Sequence, residues 1–368
     1  MTNATNIVAS YALSIQECAN AVARVAHEQT VLVQGHMGIG KSALLTILKK
    51  MFPDHTPCYV DCTTKDLGDL TLPKIGVLDD GDTGFVRYIT NEELGMHLNG
   101  PIIMMLDEYG KSNPSVKQAL TRLIYERKMG AYTLHPESLV FATTNLGVEG
   151  VGDLLVAHQS NRVTIVTMRK PTHEEWIEWG IQNGINPIVL GFVREFPEVF
   201  ADFTEVGDPK DNPYIFHPKD KSRVSFVTPR SLESFSKIVD KIDMLGHKVV
   251  TALAMGTIGV RAALDAEAFI QLGDKLPSRE AIIKDPQGTA VPDNVSALCM
   301  TVYRALQSMD QEFVQPWMEY FDRIPAEAQD LFVNGVRAAG YAQQPIVMRN
   351  KRFIQWCQDN NVLFTADV

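Results

Sequence analysis

Basic charge, long apolar runs and paired cysteines are all scarce in this 368-residue sequence. Lysine and arginine total 34 against 44 aspartates and glutamates, a formal net charge of −10. A protein that grips nucleic acid in general needs a basic face to neutralise phosphates, so this balance argues against one, although a local patch is not excluded. No uninterrupted apolar stretch approaches the roughly 20 residues of a membrane-spanning helix, so no membrane contact is expected. The opening MTNATNIVAS has neither a basic n-region nor an apolar h-region, and no secretory signal is read there. The five cysteines, Cys18, Cys58, Cys62, Cys299 and Cys357, are odd in number and mostly scattered. Cys58 and Cys62 flank the strand-like CYVDC, but no second pair completes a metal site. Buried reduced thiols are the expectation, and with them a cytoplasmic location.

What the chain does have is an ordinary packed composition, 45% hydrophobic and 21% charged. Residues 1–170 alternate helical and strand patterns, which argues for an α/β core with a parallel five-stranded sheet. Helical spacing runs over 14–27, 42–51 and 114–127. Strands are expected at 30–35, 58–62, 101–107, 139–145 and 162–168. Residues 63–100 are too long for a plain crossover loop and should carry elements of their own. Within them DDGDTG fails the spacing of a calcium loop and reads as a solvated hairpin tip. After Pro171 strand signals fade, and helical patterns recur at 172–183, 188–195, 230–243 and 251–272. These make a helical lid over 171–273, with a Pro- and Asp-rich loop at 206–225. A linker at 273–294 then leads into a helical C-terminal extension, within 274–368.

The strongest motif is GHMGIGKS, which follows a strand and opens a helix. Its glycines let successive backbone N–H groups wrap a phosphate, and the following helix points its positive end at the same anion. The phosphate cradle is therefore read as Gly35, His36, Met37, Gly38, Ile39, Gly40, Lys41, Ser42 and Ala43. Lys41 should reach the β- and γ-phosphates, and the Ser42 hydroxyl should ligate Mg²⁺. A second motif, IIMMLDE, is an apolar strand that ends on Asp107 and Glu108. Ligands bind at that edge of open α/β sheets. Asp107 is placed to hold Mg²⁺ and Glu108 to polarise an attacking water. Asn145 ends the strand FATTN and could align that water, though a plain Asn turn is the commoner origin of such a residue. Arg162 in SNRV and Arg230 in TPRS could stabilise transferring phosphate charge, but isolated arginines are mostly surface charges.

Taken in order, these residues resemble the AAA+ ATPases, most nearly the MoxR-type branch grouped with dynein-related AAA domains. The resemblance spans roughly residues 15–272. It implies Walker A at GHMGIGKS, Walker B at IIMMLDE, sensor 1 at Asn145 and sensor 2 at Arg230. It also implies that Arg162 acts as an arginine finger on ATP held by a neighbouring subunit. Residues 129–134 would form a presensor hairpin and residues 63–100 a helix 2 insert. The implied assembly is a homo-oligomeric ring, commonly a hexamer, which hydrolyses ATP to remodel or activate a partner protein. A von Willebrand factor A-type protein is a common partner in that family. The chain departs from the family in having no clear aromatic–hydrophobic–glycine pore triplet in 63–100, where Phe85 and Tyr88 are the nearest aromatics. Two other readings stay open. One is a DNA-directed or phage- or restriction-type AAA+ motor, and the other a slow nucleotide-dependent scaffold switch.

Overall fold

A computed structural model describes residues 11–77, 84–146 and 161–360. The chain divides into two compact units, Met1–Pro171 and Thr172–Val368. In the first, five parallel strands form one sheet: β1 (Val31–Gly35), β2 (Thr56–Asp61), β5 (Ile102–Asp107), β8 (Leu139–Asn145) and β9 (Thr164–Thr167). Their order is β2-β5-β8-β1-β9. The three longer helices of this unit are α1 (Ile15–Val25), α2 (Ala43–Met51) and α3 (Pro114–Glu126).

The period-2 geometry of a strand explains why β5 is apolar throughout. Ile102, Met104 and Leu106 pack into a cluster with Val116 and Leu120 of α3. Ile103 and Met105 point to the other face, against Cys18 and Val22 of α1 and Leu44 and Leu48 of α2. A strand covered on both faces has no polar side to show. The local signals that start the helices are equally plain. Ser14 caps α1 in a reciprocal capping box with Glu17, and Pro114 occupies the first turn of α3, where its missing N–H costs nothing.

The long segment between β2 and β5 carries an antiparallel ribbon of β3 (Thr71–Val77) and β4 (Gly84–Thr90), paired from Thr71–Thr90 to Val77–Gly84. The acidic turn expected at its tip falls mostly in 78–83, outside the described residues. A second short hairpin, β6 (Lys128–Met129) with β7 (Tyr132–Thr133), follows α3.

The second unit is helical. Its longer elements are α4 (His173–Gln182), α5 (Pro187–Glu195), α6 (Pro229–Val239), α7 (His247–Ile258), α8 (Val260–Gly273), α9 (Val295–Gln307), α10 (Val314–Phe321), α11 (Ala326–Arg337) and α12 (Lys351–Asp359). Buried side chains from Trp176 to Cys357 form one cluster, which includes Leu276 and Ile282 from the 273–294 segment. The helical pattern over 251–272 resolves into two helices, broken at Gly259. There φ is +91°, and a Cβ would lie 2.7 Å from the Ser225 carbonyl oxygen, so the backbone turns where only glycine fits.

Candidate functional site

Gly35 is the last residue of β1, and the chain must then turn sharply to enter α2. Gly38 and Gly40 adopt positive φ of 72° and 100°, the left-handed region that side chains disfavour. Gly35 has a different constraint. A Cβ there would lie 2.7 Å from Ile39 Cδ1 and 2.8 Å from the Met168 carbonyl. Ile39 is buried in the core shared with α1 and α2, which pins the loop from within. Ser42 caps α2, but its side chain makes no capping bond.

Lys41 is buried, and its ammonium donates to the carbonyls of Gly35 and His36 at 2.8 and 2.7 Å. It also donates to Asn145 Oδ1 at 2.6 Å. Strand register brings this about, because β1 and β8 run parallel with Gly35 opposite Asn145. Two residues 104 apart in sequence thus meet at the C-terminal edge of the sheet.

Asp107 ends β5 at the same edge, opposite Asp61 of β2. Asp107 is nearly inaccessible, at 8% exposure, yet its carboxylate has no ion-pair partner among the described residues. Hydroxyls surround it instead: Tyr59 Oη donates to Oδ2 at 2.8 Å, and Thr143 Oγ1 donates to Oδ1. The backbone N–H of Glu108 reaches Asp107 Oδ1 at 3.1 Å and Thr143 Oγ1 at 3.3 Å. A buried carboxylate with oxygen-type neighbours and no protein cation is a donor set suited to a hard divalent ion.

Glu108 takes a left-handed backbone conformation, φ 52° and ψ 32°, as the chain leaves the strand. A non-glycine residue there is strained and is held only where its surroundings insist. Part of the hold is visible: Lys111 Nζ lies 2.9 Å from Glu108 Oε2. Gly110 supports the same turn, since a Cβ on it would collide with the Thr144 hydroxyl.

Lys41, Asp107, Glu108 and Asn145 therefore converge on one sheet edge. Arg162 does not join them. It precedes β9, whose Thr164 lies opposite Val31 at the start of β1, so it stands at the other edge of the sheet. Its guanidinium lies 5.8 Å from the ring centroid of Tyr125, near the C-terminus of α3. Arg230 is exposed in the first turn of α6, in the second unit. Three residues of the first unit's site were not anticipated: Tyr59, Thr143 and Lys111. Lys111 has a local signal, its i,i+3 spacing from Glu108. Tyr59 and Thr143 reach Asp107 from strands 48 and 36 residues away, and only the register reveals them.

The fold and the loop together define a P-loop α/β core with a parallel five-stranded sheet, followed by a helical part. No protein-family model matches the sequence, and no curated protein does. Among solved structures, the RuvB Holliday junction branch migration motor from Thermotoga maritima is 17% identical, covering 73% of this chain and 74% of its own, with a TM-score of 0.34. NtrX from Brucella abortus, solved with ADP, is 12% identical over 94% of this chain and 68% of its own, with a TM-score of 0.33. Hsp104, in its closed state with ATPγS and casein, is 16% identical over 70% of this chain and 46% of its own, with a TM-score of 0.34.

Proposed function

We propose that this chain is an ATP-hydrolysing AAA+ protein of MoxR type, which works as a homo-oligomeric ring and remodels or activates a partner protein. The observation that carries the reading is the convergence of Lys41, Asn145, Asp107 and Glu108 at the C-terminal edge of β1, β5 and β8.

In this reading the Gly35–Ala43 loop wraps the phosphates with backbone N–H groups, and Lys41 carries the positive charge to their terminal end. Ser42 and Asp107 would hold Mg²⁺, whose bound charge offsets the charge that develops on the phosphate oxygens. Glu108 accepts a proton from the attacking water at its carboxylate. Asn145, which bonds Lys41, aligns that water. Arg162, at the far edge of the sheet from its own loop, serves the site of the neighbouring subunit. Arg230 contributes from the helical unit, in which residues 171–273 act as the lid and 274–368 as an extension. A von Willebrand A-type protein is the partner class to try first. No helix among the described residues is long and apolar enough to cross a membrane.

The test is Glu108→Gln. The variant is expected to bind ATP and assemble, while hydrolysis falls by about 10²–10⁴-fold, the usual contribution of a positioned general base. Hydrolysis at the wild-type rate would sink the role given to Glu108.

A further inference from the structure

Asp107 sits in the middle of the sheet edge with a neighbouring strand on either side, and each neighbour sends one hydroxyl to its carboxylate. From β2, Tyr59 reaches across two positions before the Asp61–Asp107 pair to donate to Oδ2. From β8, Thr143 stands one residue beyond the Leu106–Ala142 pair and donates to Oδ1. Both carboxylate oxygens are therefore held, one from each side. Thr143 is fully buried, whereas Tyr59 is half-exposed.

With the Glu108 N–H also on Oδ1, these donors fill three of the roughly four lone-pair positions of the carboxylate. A hydroxyl aimed at a carboxylate oxygen fixes the carboxylate plane, because each oxygen prefers its donor near that plane. Two donors on different oxygens remove the remaining rotation about the last side-chain bond. Outer partners that orient a metal-binding group tune its affinity without touching the metal, and their loss typically costs tenfold or more.

We infer that Tyr59 and Thr143 are positioning residues, which together hold the Asp107 carboxylate in the orientation that receives the divalent cation accompanying the nucleotide. The inference rests on the proposed nucleotide site, but assigns two residues to which that reading gives no role. Neither residue acts on phosphate or water; both act through Asp107. Removing either hydroxyl leaves the carboxylate present but free to turn.

The experiment measures binding of a fluorescent N-methylanthraniloyl ATP analogue to the full chain, titrated with Mg²⁺ from an EDTA-treated start. Thr143→Val, which keeps the shape and removes the donor, should raise the half-saturating Mg²⁺ about tenfold or more, the usual cost of losing such an outer partner. Tyr59→Phe should raise it about threefold or more. Both should keep the wild-type affinity for the analogue in EDTA. Thr143→Ser, which restores the hydroxyl, should return the Mg²⁺ response to within about twofold of wild type. Unchanged or tighter Mg²⁺ response in both Thr143→Val and Tyr59→Phe would overturn the inference. Asp107→Asn separates this from failure of the underlying reading. If it abolishes the Mg²⁺ response while the two hydroxyl variants behave as wild type, only the positioning role falls. If Asp107→Asn responds as wild type does, the metal role of Asp107 falls; if wild type binds no analogue, the nucleotide site falls; either outcome takes the inference with it.

Discussion

Arg127 shows how much a single side chain can join. It follows the last turn of α3 in a left-handed conformation, with φ 59°. From there its guanidinium donates to Thr30 Oγ1 at 2.7 Å and to the Ala26 carbonyl at 2.9 Å. Thr30 in turn donates to the Ile124 carbonyl at 2.8 Å, so the end of α1, the approach to β1 and the end of α3 share one knot. No carboxylate neutralises the charge among the described residues, and burial pulls the guanidinium down to about 10. It is still a cation at neutral pH. Arg127→Ala removes two charge-assisted bonds and strands buried acceptors, which should cost about 2–4 kcal/mol. Urea unfolding should show this as a lower midpoint with an unchanged slope. At the candidate site, by contrast, the two motifs were readable from local sequence. GHMGIGKS and IIMMLDE carry their own context, a strand before a loop and an apolar strand before two acids. Their supporting partners were not readable, because Tyr59 and Thr143 become neighbours of Asp107 only when β2 and β8 take register beside β5.

Among elements, the two hairpins form a connected pair. The N–H of Ala131, in the turn between β6 and β7, donates to the Tyr88 carbonyl of β4 at 3.1 Å. Arg87 of the same strand lies 5.7 Å from the ring centroid of Tyr132. Gly130 makes this approach feasible twice over. Its φ is +56°, and a Cβ would sit 2.5 Å from the Tyr88 carbonyl oxygen. Gly130→Ala should therefore push the short hairpin off β4 at a cost of about 1–3 kcal/mol. Limited proteolysis should then cut the β3–β4 ribbon several times faster than in wild type, and an unchanged digestion course would refute the contact's importance. The ribbon itself was only half visible in the sequence. A hairpin tip could be read from DDGDTG, but the strands could not, because Ile75, Val77 and Val86 are exposed and give no inward-facing alternation. The helices of the second unit were legible as helical, yet their number was not. The break at Gly259 depends on the Ser225 carbonyl lying against it, a contact made across 34 residues of chain by the folded unit alone.

For the whole molecule, alkali is the revealing perturbation. All five cysteines are buried. Burial pushes the Cys18 thiol up to about 12, with help from Glu17, and the Cys62 thiol to about 12, with help from Asp61 and Asp107. The Tyr109, Tyr303 and Tyr320 hydroxyls are also pushed up to about 12, again chiefly by burial. In the unfolded chain these groups titrate near 9 and 10. Between those values and about 12 the unfolded state releases protons that the folded state keeps, so stability falls as pH rises. Arg127, lowered to about 10, and Arg304, also lowered by burial, work in the opposite direction, but the raised thiols and phenols outnumber them. Thermal midpoints should be flat on the approach to pH 9 and decline steadily above it. A midpoint constant to pH 11 would contradict the burial of these groups.

The single core of the helical unit also has a consequence in time. Its closing contacts join distant segments: Gln182 donates to the Ala339 carbonyl across 157 residues, and Gln307 to the Ile185 carbonyl across 122. At about 5–20 residues per second, a ribosome takes roughly 8–30 s to supply α11 after it has made α4. For that interval Trp176, Ile177 and Ile181 have no Ala328, Phe332 or Val336 in the core they will share. The first unit, whose strands are complete by Thr167, has everything it needs to close much sooner. The nascent chain should thus carry a finished α/β core tethered to an unfinished bundle, and its window of vulnerability to aggregation is set by the length of the second unit.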